Sequence, residues 1–392
     1  MTNYYDASRK EWLSRPQIVA GVMTGTSLDG IDIAIAEFEQ QGKHNVFRLL
    51  GTYFTPYSTY LHDKILNVTE KKRPVSDIAE LQVELAEVYA TAILSACNIT
   101  EIPISSIKSI GIHGQTVWHN PPGSRKKTAA TLQLANGSTL AQILQIPVVS
   151  DFRSADIAAG GQGAPLVPAF DAAFLRHDDY GVCTLNIGGI ANITLLPARS
   201  SSAPVSAFDT GPGNMLIDAA SLLFFGKKFD DAGKFSQAGI CIPGLLKICL
   251  EHNFLQKAPP KSTGREMFGR QFLDKLLSSI RLPATPGEDV IRTVTEFTAE
   301  SIAMNIRLFG GGVRQVIASG GGIRNPTLMN CLMQKLGDIE LITSDDFGVP
   351  TDFKEAMCFA YIAYLTLGGL PGNIPSVTGA QRQCVLGSIS TP

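Results

Sequence analysis

The sequence predicts an α/β fold built in two related halves. Apolar, strand-like runs alternate with helix-periodic segments along the chain. A strand, a glycine-bearing turn and a second strand occur near the start of each half. The length, 392 residues, suits two domains better than one or four.

The first copy opens with the apolar run Ile18 to Val22. A polar turn follows, and then Ile31, Ile33 and Ile35 alternate with Asp32, Ala34 and Ala36, so two strands flank a turn. Asp77 and Glu80 have capping-box spacing before a helical face carrying Ile78, Leu81, Leu85 and Val88. The second copy is Gly181 to Ile187, the turn Gly188-Gly189, and Ile190 to Leu196. Val290, Val294, Phe297, Met304 and Leu308 mark another helical face. Val313 to Ser319 reads as a buried strand. It leads through Gly320, Gly321 and Gly322 to a helix with Asn325 at its N-cap and Pro326 at its first position. Asp352 and Glu355 suggest a capping box for the helix Ala356 to Leu367, which Gly368-Gly369 ends.

The bulk numbers narrow the function classes. Hydrophobic residues are 44% and charged residues 17%, as in a globular protein with a sizeable core. A net charge of -2 gives no bulk field that draws nucleic acid or an anionic membrane, so neither is an expected partner. Seven cysteines without C-x-x-C spacing suggest reduced, buried thiols in a cytoplasmic protein. The first sixteen residues lack the apolar core of a secretory signal, and Ala356 to Leu367 is too short to span a bilayer. Loops are expected at His119 to Thr128, which holds the basic run Arg125 to Lys127, and at Pro197 to Ser206 and Leu255 to Arg265.

Several segments combine residue types that chemistry needs. Gly25-Thr-Ser-Leu-Asp-Gly-Ile-Asp32 offers close-approaching backbone amides, two hydroxyls and two carboxylates, a set suited to phosphate and Mg²⁺. A plain hairpin turn fits it equally. Gly188-Gly189 echoes that turn. Asp209-Thr-Gly-Pro-Gly-Asn214 puts a carboxylate at the mouth of a rigid turn, where it can serve as a base beside a phosphate or bond its own turn. Gly320 to Gly322 either line a flat ligand such as adenine or supply positive φ. Arg153, after the run Ile146 to Val149, suits a carboxylate clamp or an ion pair with Asp151 or Asp156. Gly111 to His119, with His113, Trp118 and His119, suits a sugar or a core. The spacing of the two histidines, with no nearby carboxylate or thiolate, disfavours a metal site there. Glu355 is open to substrate contact or to capping.

As a set, these motifs resemble the sugar-kinase, actin and chaperone-ATPase superfamily. More narrowly, the chain resembles the bacterial anhydro-N-acetylmuramic acid kinases through seven segments in order. They are GVMTGTSLDGID, GIHGQTVWH, DFRSADIAAGGQGAPLVP, LNIGGIANIT, FDTGPGNMLID, PPKSTGRE and SGGGIRNP. The resemblance implies an actin-like ATPase (ribonuclease H-like) fold of two related domains, with mixed sheets flanked by helices and an active site in the interdomain cleft. The expected domains are residues 1–175 and 176–369, with 370–392 returning to the first. It implies that ATP phosphorylates O6 of 1,6-anhydro-N-acetylmuramic acid while water opens the anhydro ring. The product is N-acetylmuramic acid 6-phosphate, made in peptidoglycan recycling.

The resemblance also implies residue roles. Asp209 becomes the base. ATP falls to Gly25, Thr26, Ser27, Leu28, Asp29, Gly30, Ile31 and Asp32, to Gly188 and Gly189 opposite, and to Gly320, Gly321 and Gly322. Arg153, Gln162, Glu355 and His113 fall to the sugar, and Asp29 and Asp32 to Mg²⁺. Many superfamily members carry an Asp at the end of the first strand, where this chain has Met23 and Thr24. A homodimer with a small amino-sugar substrate is the implied assembly. A glycoside hydrolase using Asp209 and Glu355, and an ATP-switched binding protein, are the competing classes.

Overall fold

The computed structural model describes residues 2–42, 44–70, 73–123, 128–278 and 285–392, with the backbone alone for 2–7. The basic run Arg125 to Lys127 lies outside the described residues. Two compact units emerge, one of Met1–Phe174 with Phe353–Pro392, the other of Leu175–Asp352.

In the first unit, β1 (Gln17–Met23) and β2 (Gly30–Gln41) pair antiparallel, with Met23 opposite Asp32. β3 (His44–Pro56) extends the meander along β2. On the other side of β1 lies β4 (Ser109–Ile112), parallel to it. A separate ladder follows, of β5 (Gln115–Asn120) and β6 (Ala130–Leu134). β7 (Val148–Ser150) runs parallel to β4, and the chain's last strand, Ser388–Ser390, closes that edge antiparallel. β1 is buried along almost its whole length, as its continuous apolar run requires of a central strand.

The second unit repeats the order. β8 (Gly181–Ile187), β9 (Ile190–Leu196) and β10 (Ser206–Pro212) form the antiparallel meander. β11 (Val313–Ser319) and β12 (Glu340–Thr343) add parallel beyond β8. The strand order β10-β9-β8-β11-β12 thus matches β3-β2-β1-β4-β7. Each sheet is mixed and packed against helices, an α/β architecture in both units.

The helices revise several expectations. Val75–Ile99 starts ahead of the expected capping box: Pro74 sits at the N-cap and no side chain caps it. Proline pre-sets the entry geometry, and Asp77 is left in the first turn, where the helix dipole favours a negative charge. Helix Gly287–Phe309 buries Val290, Val294 and Phe297, but Leu308 is 54% exposed. Thr298, Ser301 and Asn305 take the buried face instead. Two of them bond inward, Thr298 Oγ1 to the Gly213 carbonyl (3.0 Å) and Asn305 Nδ2 to that of Thr210 (3.2 Å).

Helix Lys354–Leu367 also departs from expectation. Its N-cap is Phe353 and it has no side-chain cap; Asp352 pairs with Arg324 instead. The helix belongs to the first unit, although the expected boundary at 369 put it in the second. It covers β1, β2 and β4. A Cβ at Gly21 or Gly111 would overlap the Ala356 or Phe359 carbonyl, so only glycine lets the helix lie this close. Asn325 does cap helix Pro326–Leu336, its Oδ1 accepting from Leu328 N at 3.0 Å. The seven cysteines are free thiols, five of them buried. Among the described residues no helix is long and apolar enough to cross a membrane.

Candidate active site

The turn between β1 and β2 is compact and rich in side chains. Leu28 takes φ 58° and its amide donates to the Gly25 carbonyl (3.4 Å). Thr26, Ser27 and Asp29 are exposed, whereas Leu28 and Ile31 are buried, so those two offer a ligand only their backbone. Asp29 Oδ1 accepts from Ser27 Oγ (2.7 Å) and from the amide of Gly30 (3.1 Å). Asp32 is half-buried within β2.

What holds this turn was not assigned from sequence. Gln115, fully buried, donates its Nε2 to the Gly25 carbonyl (3.2 Å) and accepts from Tyr57 OH (3.4 Å). Tyr57 in turn donates its amide to the Asp29 carbonyl (3.2 Å). Gln115 sits in the GIHGQTVWH segment, so the signal was present, but its partner is ninety residues away.

The turn of β8 and β9 is built differently. Gly188-Gly189 carries no side chain, and its carbonyls are gripped from behind. Asn214 N donates to Gly188 O (2.8 Å), and Gly213 N (2.9 Å) and Met215 N (3.1 Å) donate to Gly189 O. A Cβ on Gly213 would overlap the Gly188 carbonyl, which explains a glycine at that position. The Gly320 to Gly322 triplet divides in two. Gly320, at φ 85°, and Gly322 pack so closely on Asn186 and Ile187 that a side chain would collide, while Gly321 is exposed, with nothing nearer than Asn214 Nδ2 at 4.0 Å.

Asp209 lies in β10 beside the bulge at Thr210. Its Oδ2 accepts from Thr263 N (2.8 Å), and its own amide donates to the Lys261 carbonyl (3.1 Å). Among the described residues no donor reaches Oδ1, so the turn-bonding alternative does not account for this carboxylate. Burial raises its carboxyl above the ordinary range, while the Thr263 amide and Lys261 pull it back. Lys261 and Thr263 escaped residue-level assignment, although both lie in the PPKSTGRE segment.

In the first unit, Arg153 follows β7. Its Nε and Nη2 both donate to His113 Nε2 (3.0 and 2.8 Å), and Nη1 donates to the Gly163 carbonyl (2.7 Å). The expected alternative of an ion pair with Asp151 or Asp156 is therefore wrong. Asp151 accepts from Ser154, and the fully buried Asp156 accepts from Gly163 N, Asn373 and Thr378. Two arginine donors on one imidazole nitrogen require that nitrogen to be unprotonated. Burial first, then Arg153, push the His113 pKa down to about 3. The backbones of Gly114 and Thr24 pull it the other way. At 3% exposure His113 supports Arg153 rather than offering a face of its own.

Glu355, in the first turn of Lys354–Leu367, is solvent-accessible yet closely surrounded by protein. That crowding raises its carboxyl above the usual range, against the pull of Arg153 and then Lys354. Its neighbour Lys354 is buried and paired with Asp171 at 2.8 Å, fixing the start of the helix. Gln162 is exposed, with its Nε2 on the Pro122 carbonyl (3.2 Å). Arg153, His113 and Glu355 therefore form one group, with Gln162 on the loop beside it.

Two glycine turns thus stand at matching places in matching sheets, with a half-buried carboxylate beside one of them. The sequence pattern of the anhydro-N-acetylmuramic acid kinases matches residues 17–392. The anhydro-N-acetylmuramic acid kinase of Salinibacter ruber is 40% identical over 95% of this chain and 96% of its own. That of Saccharophagus degradans is 40% identical over 96% and 100%, and that of Bacillus cereus 37% over 95% and 99%. Among solved structures, component A of (R)-2-hydroxyglutaryl-CoA dehydratase from Acidaminococcus fermentans is 12% identical, covers 90% of this chain and 99% of its own, and has a TM-score of 0.45. A ROK family glucokinase from Streptomyces griseus has 12% identity, coverage of 83% and 94%, and a TM-score of 0.36. The chain belongs to the anhydro-N-acetylmuramic acid kinase family. It is an ATP-using phosphotransferase with an alcohol acceptor, of the family that serves peptidoglycan recycling. The hydrolase and binding-protein alternatives fall with that membership.

Proposed function

We propose that Asp209 takes a proton from the water that attacks C1 of 1,6-anhydro-N-acetylmuramic acid. The C1–O6 bond breaks as the new C1–OH forms. O6 then bonds to the γ-phosphorus of ATP, ADP leaves, and N-acetylmuramic acid 6-phosphate is the product. The observation that carries this reading is the Asp209 carboxylate. It is held on one oxygen by Thr263 N, has no donor on the other among the described residues, and is raised toward the range where a base works best.

The ATP phosphates are assigned to the Gly25–Asp32 turn and to Gly188-Gly189, and the adenosine to the surface around Gly321. The exposed hydroxyls and amides of the first turn support this, since phosphoryl transfer depends mainly on positioning and charge neutralisation. Arg153, steadied by His113, is assigned to the lactyl carboxylate, with Glu355 and Gln162 beside the sugar. Among the described residues no three acidic, histidine or cysteine groups cluster as a metal cage. A Mg²⁺ bound by one or two carboxylates, water and phosphate fits that better. Asp29 has an oxygen outside its turn bonds, and Asp32 follows on β2. The ion would neutralise phosphate charge. A cytoplasmic homodimer is supported by the family resemblance alone.

The test runs the wild type and Asp209→Asn with ATP and anhydro-sugar in ¹⁸O-water. We expect label on C1 and none in the transferred phosphoryl group, with the variant inactive but still binding nucleotide. Label in free phosphate with the sugar unchanged would sink the coupled reaction. Near-normal turnover in the variant removes Asp209 from the base role.

A further inference from the structure

Lys261 is a charged side chain in an apolar place. It is 6% exposed, and its Nζ lies 4.9 Å from the ring centre of Phe254, 5.5 Å from Phe309 and 5.7 Å from Phe208. Its hydrogen bonds go to the carbonyls of Phe254 (3.1 Å) and Leu255 (3.0 Å). Three rings would accept a leucine or methionine without the cost of desolvating an ammonium. A cation kept there needs a use that an apolar side chain cannot supply.

The backbone around it points to that use. The Lys261 carbonyl accepts the Asp209 amide (3.1 Å), and two residues on, Thr263 N donates to the Asp209 carboxylate (2.8 Å). The segment Lys261 to Thr263 thus holds Asp209 at main chain and side chain together. The Lys261 side chain ties that segment to Phe254 and Leu255.

We propose that Lys261 is a positioning residue for the Asp209 base: it pins the segment that holds the carboxylate at main chain and side chain, and brings a positive charge to that segment. The proposal rests on the base role given to Asp209 above. Among the described residues, the charged group acting on Asp209 is Lys261, and those acting on Lys261 are Asp209 and Lys257. Burial lowers the Lys261 pKa to about 8, against the pull of Asp209 and with the push of Lys257. The amine is therefore mainly charged at neutral pH and below.

The sign of the effect follows. Without the ammonium, the Asp209 carboxylate loses a stabilising charge, its pKa rises, and the base is protonated at higher pH. The test compares kcat/KM against pH for wild type, Lys261→Met and Lys261→Gln. The glutamine retains a donor for the carbonyls but no charge. ATP's own titration is common to all three and cancels. Both variants should move the acid limb up by about one pH unit, with the glutamine keeping more of kcat. A fall in kcat with the acid limb unmoved in both variants would mean a structural anchor only and overturn the proposal. If neither variant folds, Phe309→Leu opens one side of the ring cage to water and should move the limb upward by less. An unmoved limb there overturns the proposal too. Asp209→Asn separates the two ideas, because turnover in that variant removes the base role whatever Lys261 does.

Discussion

The two glycine turns occupy equivalent positions in equivalent sheets and are secured in different proportions by side chain and main chain. The β1–β2 turn draws on side chains as well as main chain: Gln115 Nε2 and the Tyr57 amide reach it from elsewhere in the fold, and its own Ser27 and Asp29 bond within it. The β8–β9 turn has no side chain of its own and is held mainly by main chain, three amides of Gly213 to Met215 closing on two carbonyls, with Asn214 Nδ2 on the adjacent Ile187 carbonyl (3.4 Å). A side-chain latch tolerates graded change, because substitutions remove one bond at a time. A main-chain interlock depends on how near two backbones can come, so a single added carbon defeats it.

The sharpest way to break the comparison is Gly213→Ala. The new Cβ overlaps the Gly188 carbonyl, and backbone cannot swing aside as a side chain can. Destabilisation of about 3 kcal/mol is expected in chemical denaturation. In the molecules that fold, kcat should drop by about a hundredfold, because Asp209 and the turn shift together. A Gly213→Ala enzyme with wild-type stability and rate would show that the interlock is slack.

Gln115→Leu tests the other turn. It leaves the half-buried Gly25 carbonyl and Tyr57 hydroxyl without their shared partner, costing about 1–2 kcal/mol. The KM for ATP should rise about tenfold while kcat changes less, as steady-state kinetics would reveal. An equal loss in kcat alone would place Gln115 in the chemistry instead of behind the turn. Gly321→Ala should do least. The site is open, so stability should move by no more than about half a kcal/mol. Nucleotide affinity, read by calorimetry, should weaken about two- to threefold. A large loss of stability would contradict the open space beside Gly321.

Much of this arrangement was legible because it is local. Each strand–turn–strand copy lies within a short stretch, and Asp209 announces itself through the Gly-Pro-Gly frame that follows it. What the residues alone did not disclose is held across long spans. Gln115 meets Gly25 ninety residues away, and Thr263 meets Asp209 fifty-four away. Neither has a periodic signature, although both lie in recognisable segments. The helix Gly287–Phe309 misled for another reason. Its apolar pattern continues to Leu308, but the buried face turns polar because Thr210 in β10 and Gly213 just after it present carbonyls there that need donors. Likewise, capping-box spacing at Asp352 and Glu355 was outweighed when Asp352 found an arginine. That leaves Glu355 without the capping role its spacing suggested.

The second unit is one unbroken stretch, while the first is written at both ends of the chain. As the polypeptide leaves the ribosome, β1 and β4 emerge early. The helix that must cover Gly21 and Gly111 emerges only after all of Leu175–Asp352 has been made. The unit translated in the middle is thus free to fold first, and the unit translated first must wait with an apolar sheet face uncovered. That interval is when the nascent chain has most need of a chaperone.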